Sequence, residues 1–175
     1  MRENREVDVS RVALAGNSAG GGLAAALAQR IRDEGEPQPV AQCLFYPMLD
    51  DRTDADRSLD QTNHFIWNNK ANYEAWRAYL SPNLPGADIL PDYAAPARQV
   101  DLTGLPPTWI GICEIDLFCA ENEAYAERLT EAGVMCRVHR VDGSPHAFEV
   151  IQPSAELAVS FRQSAIEFLR SFVSA

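Results

Sequence analysis

The stretch "VALAGNSAGGGLAAALAQRI", residues 12 to 31, decides the fold. Val12 to Ala15 is an apolar run bounded by Arg11 and Gly16, which reads as a short buried strand. Leu23, Leu27 and Ile31, with Ala24 and Ala28 beside them, recur at helical spacing, and Gly35 and Pro37 mark where that helix should stop. Ser18 therefore falls on a strand-to-helix turn. Glycine at 16 and 20 lets the backbone pass close to itself while Ser18 projects from a helix N-terminus, where N–H groups favour negative charge. The pattern is G-x-S-x-G, the arrangement of a nucleophilic hydroxyl. A phosphate-cradling loop is a poor rival, since neither G-x-G-x-x-G nor G-x-x-x-x-G-K-[ST] can be read here.

Beyond this unit, "AQCLFYPML" (41 to 49), "PTWIGICEI" (107 to 115) and "CRVHRVD" (136 to 142) read as three more buried strands. Between the last two, Ala120, Ala124, Tyr125, Leu129 and Ala132 line one helical face that Gly133 ends. A final helix from about Ser154 carries Leu157, Phe161, Ala165, Phe168 and Phe172 on one side. Strands alternating with helices predict an α/β fold with a parallel sheet covered on both faces. Residues 50 to 100 break the rhythm. The charge-rich "DDRTDADRSLD" places Asp50, Asp51, Asp54 and Asp56 in an expected solvated loop, and Tyr73, Trp76 and Tyr79 suggest a short amphipathic helix. An excursion of that length is expected to act as a lid or pocket wall, with Phe65 and Trp67 facing the substrate. The alternative is that Phe65, Trp67 and Trp76 form a satellite core beneath the loop.

At 175 residues and 46% hydrophobic content the chain is expected to form a single domain over 1–175. A net charge of -10 argues against nucleic acid or an anionic membrane as partner. With no apolar leader at the N-terminus and no run of 18 apolar residues, a cytoplasmic location is expected. Cys43, Cys113, Cys119 and Cys136 lack C-x-x-C spacing and read as reduced thiols rather than metal ligands or disulfides.

A serine hydroxyl needs a base, and the base needs an orienting group. Of the three histidines, His139 lies inside a strand and His64 in the excursion. His146 follows the last strand in a Gly143-Ser144-Pro145 turn, at the carboxyl end where open parallel sheets bind ligands. The acid is expected at Asp116, just past the strand 107 to 115. Glu114 points to the same side but deeper, and Asp142 is a less favoured rival close to His146 in sequence.

The chain resembles the hormone-sensitive-lipase-like α/β-hydrolases, the alpha/beta hydrolase fold-3 family. The resemblance runs through "GNSAGG", "FYPMLDD", "YAAPAR" with "DLTGLPPTWI", "EIDLF" followed by "YAERLTEAGV", and "SPHAF". It implies Ser18 as nucleophile, Asp116 as orienting acid, His146 as base and the Ala19 N–H as an oxyanion donor. It also implies small-molecule esters as substrates, without metal or organic cofactor. The chain departs from the pattern in three places: Asn17 stands where the family commonly has aspartate, Ala147 where it has glycine, and Cys119-Ala120-Glu121 where it has Arg-Asp-Glu. Asn17 is read as a pocket residue. The upstream His-Gly-Gly-Gly loop of the family does not occur in the chain. The chain is therefore expected to form the C-terminal half of the fold, about four strands, with strand 12–15 at an edge covered by a homodimer or a partner. Weak ester hydrolysis, a non-catalytic remnant that folds with a partner, and an amidase or peptidase are the three functional expectations.

Overall fold

The architecture is taken from a computed structural model that describes residues 8–173. Four strands form one parallel sheet in the order β1-β2-β3-β4: β1 (Leu14–Asn17), β2 (Gln42–Phe45), β3 (Thr108–Cys113) and β4 (Cys136–Val141). The central β3 is buried at every position, whereas β1 and β4 alternate or open to solvent, as edge strands do. The first strand begins two residues later than the apolar run suggests; Val12 only accepts a hydrogen bond from the Val40 N–H and stays exposed. The second ends at Phe45 rather than running to residue 49, because Tyr46 takes a left-handed φ of 36° and turns the chain out of the sheet.

Side-chain alternation along the strands explains the helices on both faces. Leu44, Ile110 and Ile112 point one way and pack with Ala24, Ala25 and Ala28 of α1 (Ala19–Asp33) and Tyr125, Ala126 and Leu129 of α4 (Cys119–Glu131). Cys43, Trp109 and Cys113 point the other way, against Phe161, Ala165 and Phe168 of α6 (Glu156–Val173). Gly111 lies on that second face, where a Cβ would stand 2.3 Å from Phe161 Cζ. Its missing side chain lets the Phe161 ring lie on the sheet. All four cysteines are free thiols. Among the described residues, no helix is long and apolar enough to cross a membrane.

The excursion folds over the carboxyl ends of the strands. It contains α2 (Arg52–Ala55), α3 (Asn69–Leu80) and 3-10 turns at Arg57–Gln61 and Pro96–Arg98. Met48, Trp76, Leu80, Ala94, Leu117 and Phe118 build a third core there, with Trp67 packed against it. Trp67 and Trp76 thus join a satellite core, but Phe65 does not; it is 64% exposed. The expectation of a uniformly solvated acidic loop is also corrected. Asp51 and Asp54 are fully buried, because the excursion turns back on itself and closes over them. Asp51 pairs with the Arg98 guanidinium at 2.6 Å and accepts from the Gly86 N–H at 2.6 Å. An ion pair so placed costs desolvation that only good geometry offsets.

Asp54 has no such relief: both carboxylate oxygens are buried without a hydrogen-bond partner among the described residues. Burial, and then the Asp51 charge, push its carboxyl up to about 7. Folding therefore favours protonated Asp54, so its contribution is fully present below pH ~4, declines as pH rises, and is lost above about 7. Asp54→Asn is expected to match the wild type near pH 4 and to exceed it at pH 8 by about 2–4 kcal/mol in urea unfolding. Equal stabilities across that range would contradict the burial of a charged Asp54.

Candidate active site

Ser18 sits between the end of β1 and the first residue of α1 with φ 53° and ψ −125°, a conformation that side chains with a Cβ rarely adopt. Its neighbours hold it there. The Ser18 N–H donates to the Phe45 carbonyl at 2.9 Å, and the Ser18 carbonyl accepts from the N–H groups of Gly21, Gly22 and Met48. At Gly16 a Cβ would stand 2.1 Å from the Gly20 carbonyl oxygen, and at Gly22 it would stand 2.1 Å from the Met48 carbonyl oxygen. Gly20 itself has open space, its nearest neighbour being Asn17 Oδ1 at 4.0 Å. Close approach is thus required at 16 and 22 and not, as the pattern suggested, at 20.

His146 and Asp116 reach the same point from the ends of β4 and β3. His146 Nε2 lies 3.0 Å from Ser18 Oγ, and His146 Nδ1 lies 2.7 Å from Asp116 Oδ2. Both side chains are buried. A hydroxyl, an imidazole and a carboxylate joined in that order can pass the hydroxyl proton to the ring while the carboxylate balances the charge that forms there. Three aromatic rings surround the imidazole, with centroids at 4.7 Å for Tyr46, 5.4 Å for Phe118 and 6.3 Å for Trp67. Ala147 follows in the left-handed region at φ 56°, which accounts for glycine being the residue a relative would use there.

The rival residues stand elsewhere. Glu114 is not deeper but partly exposed, turned to the Arg140 guanidinium and the Gly143 N–H, because its strand has ended and the chain rotates toward β4. Asp142 is 87% exposed. His139 lies against Trp109 and Phe161, and burial lowers its pKa. His64 is half-buried in the excursion and touches neither Ser18 nor Asp116 through a hydrogen bond.

Beside the serine lies an apolar cavity of about 140 Å³ lined by Ala19, Gly22, Leu23, Met48, Trp76 and Tyr79, among others. Ala19 opens α1, so its N–H has no acceptor within the helix. Asn17 is exposed at the end of β1, and neither it nor Phe65 nor Trp67 lines this cavity; Trp67 instead stacks toward His146. Sequence reasoning placed Trp76 and Tyr79 on one helix but did not assign them to the site. It named Glu121 only in a stretch that departs from the family pattern, with no role; Glu121 is buried in the first turn of α4 and accepts hydrogen bonds from the Leu49 and Asp50 N–H groups and the Thr53 hydroxyl. Burial pushes its carboxyl up to about 8.

The sequence profile described as alpha/beta hydrolase fold matches residues 1–150. The carboxylesterase NlhH of Mycobacterium tuberculosis is 36% identical over 168 residues, covering 91% of this chain and 51% of that protein. The chain belongs to the hormone-sensitive-lipase-like α/β-hydrolases. Esterase LipI of the same organism is 35% identical over 81% of this chain and 43% of its own length. The solved structure of a bacterial heroin esterase superposes with a TM-score of 0.86 at 35% identity, covering 95% of this chain and 53% of that one. Esterase LipW from Mycobacterium marinum gives 0.79 at 32%, covering 95% and 50% respectively. The chain thus spans about half the length of the curated relatives it matches.

The unequal crowding at the serine turn gives a direct test in this α/β-hydrolase. Gly16→Ala is expected to cost about 1–3 kcal/mol in urea unfolding, since a backbone carbonyl must move. Gly20→Ala should leave stability unchanged or raise it by up to about 1 kcal/mol, because it lies in a helix with room for a methyl group. A reversed order would refute the close approach at Gly16.

Proposed function

We propose that the chain hydrolyses carboxylic esters through an acyl-enzyme on Ser18. The observation that carries this reading is the Ser18–His146–Asp116 line, with contacts of 3.0 and 2.7 Å on a turn that exposes the hydroxyl at a helix N-terminus. His146 takes the Ser18 proton as Oγ attacks the ester carbonyl, and Asp116 holds the ring in the tautomer with its free nitrogen toward Ser18. The Ala19 N–H donates to the oxyanion. Collapse of the tetrahedral intermediate expels the alcohol, which receives the proton from His146. Water, activated by the same imidazole, then releases the acid. The cavity beside Ala19 takes an apolar part of the ester, with Trp76 and Tyr79 as its walls and Trp67 flanking the histidine. That the matched relatives include a carboxylesterase and an esterase supports the choice of substrate class.

Ser18 is expected to be the serine labelled by a fluorophosphonate probe, with labelling lost in Ser18→Ala. Asp116→Asn should lower turnover of p-nitrophenyl esters by up to ~10⁴-fold with the fold intact. Labelling that survives in Ser18→Ala, or full turnover in Asp116→Asn, would remove this mechanism. Among the described residues the Ala19 N–H is the one oxyanion donor this reading assigns, and each such donor is worth about 10²–10³ in turnover. Slow hydrolysis by the chain alone is therefore part of the reading.

A second reading concerns assembly. The β1 edge has no strand beyond it among the described residues, and Val12, just before the strand, is exposed. An unpaired central-type strand invites pairing, and we read this edge as covered by a second copy or a partner strand. Size exclusion is expected to show a concentration-dependent dimer of the purified chain; a monomer at every concentration would count against self-pairing.

A further inference from the structure

His146 stands on a loop after β4, so no strand pairing fixes its ring. Asp116 and Ser18 hold its two nitrogens. The loop's downstream side is held by two other residues. Past Ala147 the chain enters α5 (Phe148–Ile151), and there the Glu149 carboxylate accepts a hydrogen bond from the Tyr46 hydroxyl. Both residues are buried.

Tyr46 is anchored at the centre of the sheet. Its backbone N–H donates to the Gly111 carbonyl of β3 at 2.8 Å, and its φ of 36° swings the ring out over the strand ends. There the ring meets the His146 imidazole nearly edge-on, 65° between planes, and lies nearly parallel to the Phe161 ring, 9° between planes with centroids 6.4 Å apart. Burial, and then the bond to Glu149, push the Tyr46 hydroxyl's pKa up, so it stays the donor of that bond. Glu149 is also tied to α6, where the Arg162 guanidinium donates to its carbonyl at 3.1 Å. Tyr46 therefore joins the sheet centre, through its backbone, to the histidine loop, through its ring and hydroxyl.

Packing alone gives no reason for this pair. A phenylalanine would fill the same volume, and a buried carboxylate with one oxygen unpartnered, as Glu149 Oε2 is among the described residues, carries a desolvation cost. We propose that Tyr46 and Glu149 are positioning residues for His146: their hydrogen bond locks α5 against β2 and keeps the Tyr46 ring on the imidazole, so that Nε2 stays within reach of Ser18 Oγ. The kinetic consequence rests on the proposed nucleophilic role of Ser18, whereas the geometric claim concerns the imidazole alone.

Two readouts separate these claims. The first is the downfield NMR signal of the His146 Nδ1 proton bonded to Asp116, and the second is the rate of Ser18 labelling by a fluorophosphonate. Tyr46→Phe, which keeps the ring, is expected to broaden or shift the signal and to slow labelling about tenfold, within the roughly hundredfold that a misplaced catalytic group costs. Glu149→Ala should behave alike, while Glu149→Gln, whose amide oxygen still accepts from Tyr46, should recover much of the loss. Circular dichroism checks that each variant is folded, and if one is not, the remaining variants decide. A wild-type chain that shows the signal but never labels refutes the nucleophile and leaves the signal to decide the positioning. Tyr46→Phe with both readouts at wild-type values, Glu149→Gln as impaired as Glu149→Ala, or a wild-type chain without the signal overturns the proposal.

Discussion

The pairing of β1 with β2 does not stop where the strands end. Ser18 donates its N–H to Phe45 and accepts from Met48 through its carbonyl, so the parallel neighbour grips the main chain on both sides of the strained residue. A backbone at φ 53° costs of order 1–3 kcal/mol when it carries a side chain, and it persists only where surrounding bonds over-determine it. Without β2 the turn would relax, and the hydroxyl would lose both its exposure and its line to His146. Asp116 and His146 depend on the same sheet, because each emerges just past a strand that is parallel and in register with the next. Parallel pairing delivers three chain segments, distant in sequence, to one edge.

The segment between β2 and β3 shows how a polar sequence can make a wall. Its acids are not simply a solvated face. Asp51 is matched by Arg98 and Asp54 by nothing among the described residues, while Glu121 of α4 accepts from two N–H groups and a hydroxyl of the segment. The Asp51 and Glu121 contacts join points far apart in the chain, tying the start of the excursion to its end and to α4. Apolar contacts then seat Trp76 and Met48 over Leu117 and Phe118, next to the serine. The cavity wall is thus held by buried polar pairs together with an aromatic core, and burial pushes the carboxyl of the unmatched Asp54 up to about 7.

Much of this was legible in the residues. Apolar runs gave four strands, glycine and proline gave the helix ends, and strand–helix alternation gave parallel order, because these signals are local and periodic. The positions of Ser18, Asp116 and His146 were also legible, since each follows a strand and a parallel sheet gathers its carboxyl ends. Boundaries were less so. Apolarity extends past the last ladder hydrogen bond, so the runs at 12–15 and 41–49 overstated or displaced β1 and β2, and the turn at Tyr46 depends on a backbone angle that no residue type there announces. Phe65 was misplaced because an aromatic residue in a loop reads the same whether it faces a pocket or water.

By itself the sequence determined the kind of fold and the order of its chemical groups, since both follow from spacing along the chain. Only the tertiary structure decided which acids are buried, that close approach falls at Gly16 and not Gly20, and that Tyr46 and Glu149 meet behind His146. Those outcomes are set by contacts between segments far apart in sequence, where the cost of burying a charge or a methyl group depends on what another segment brings to the same place.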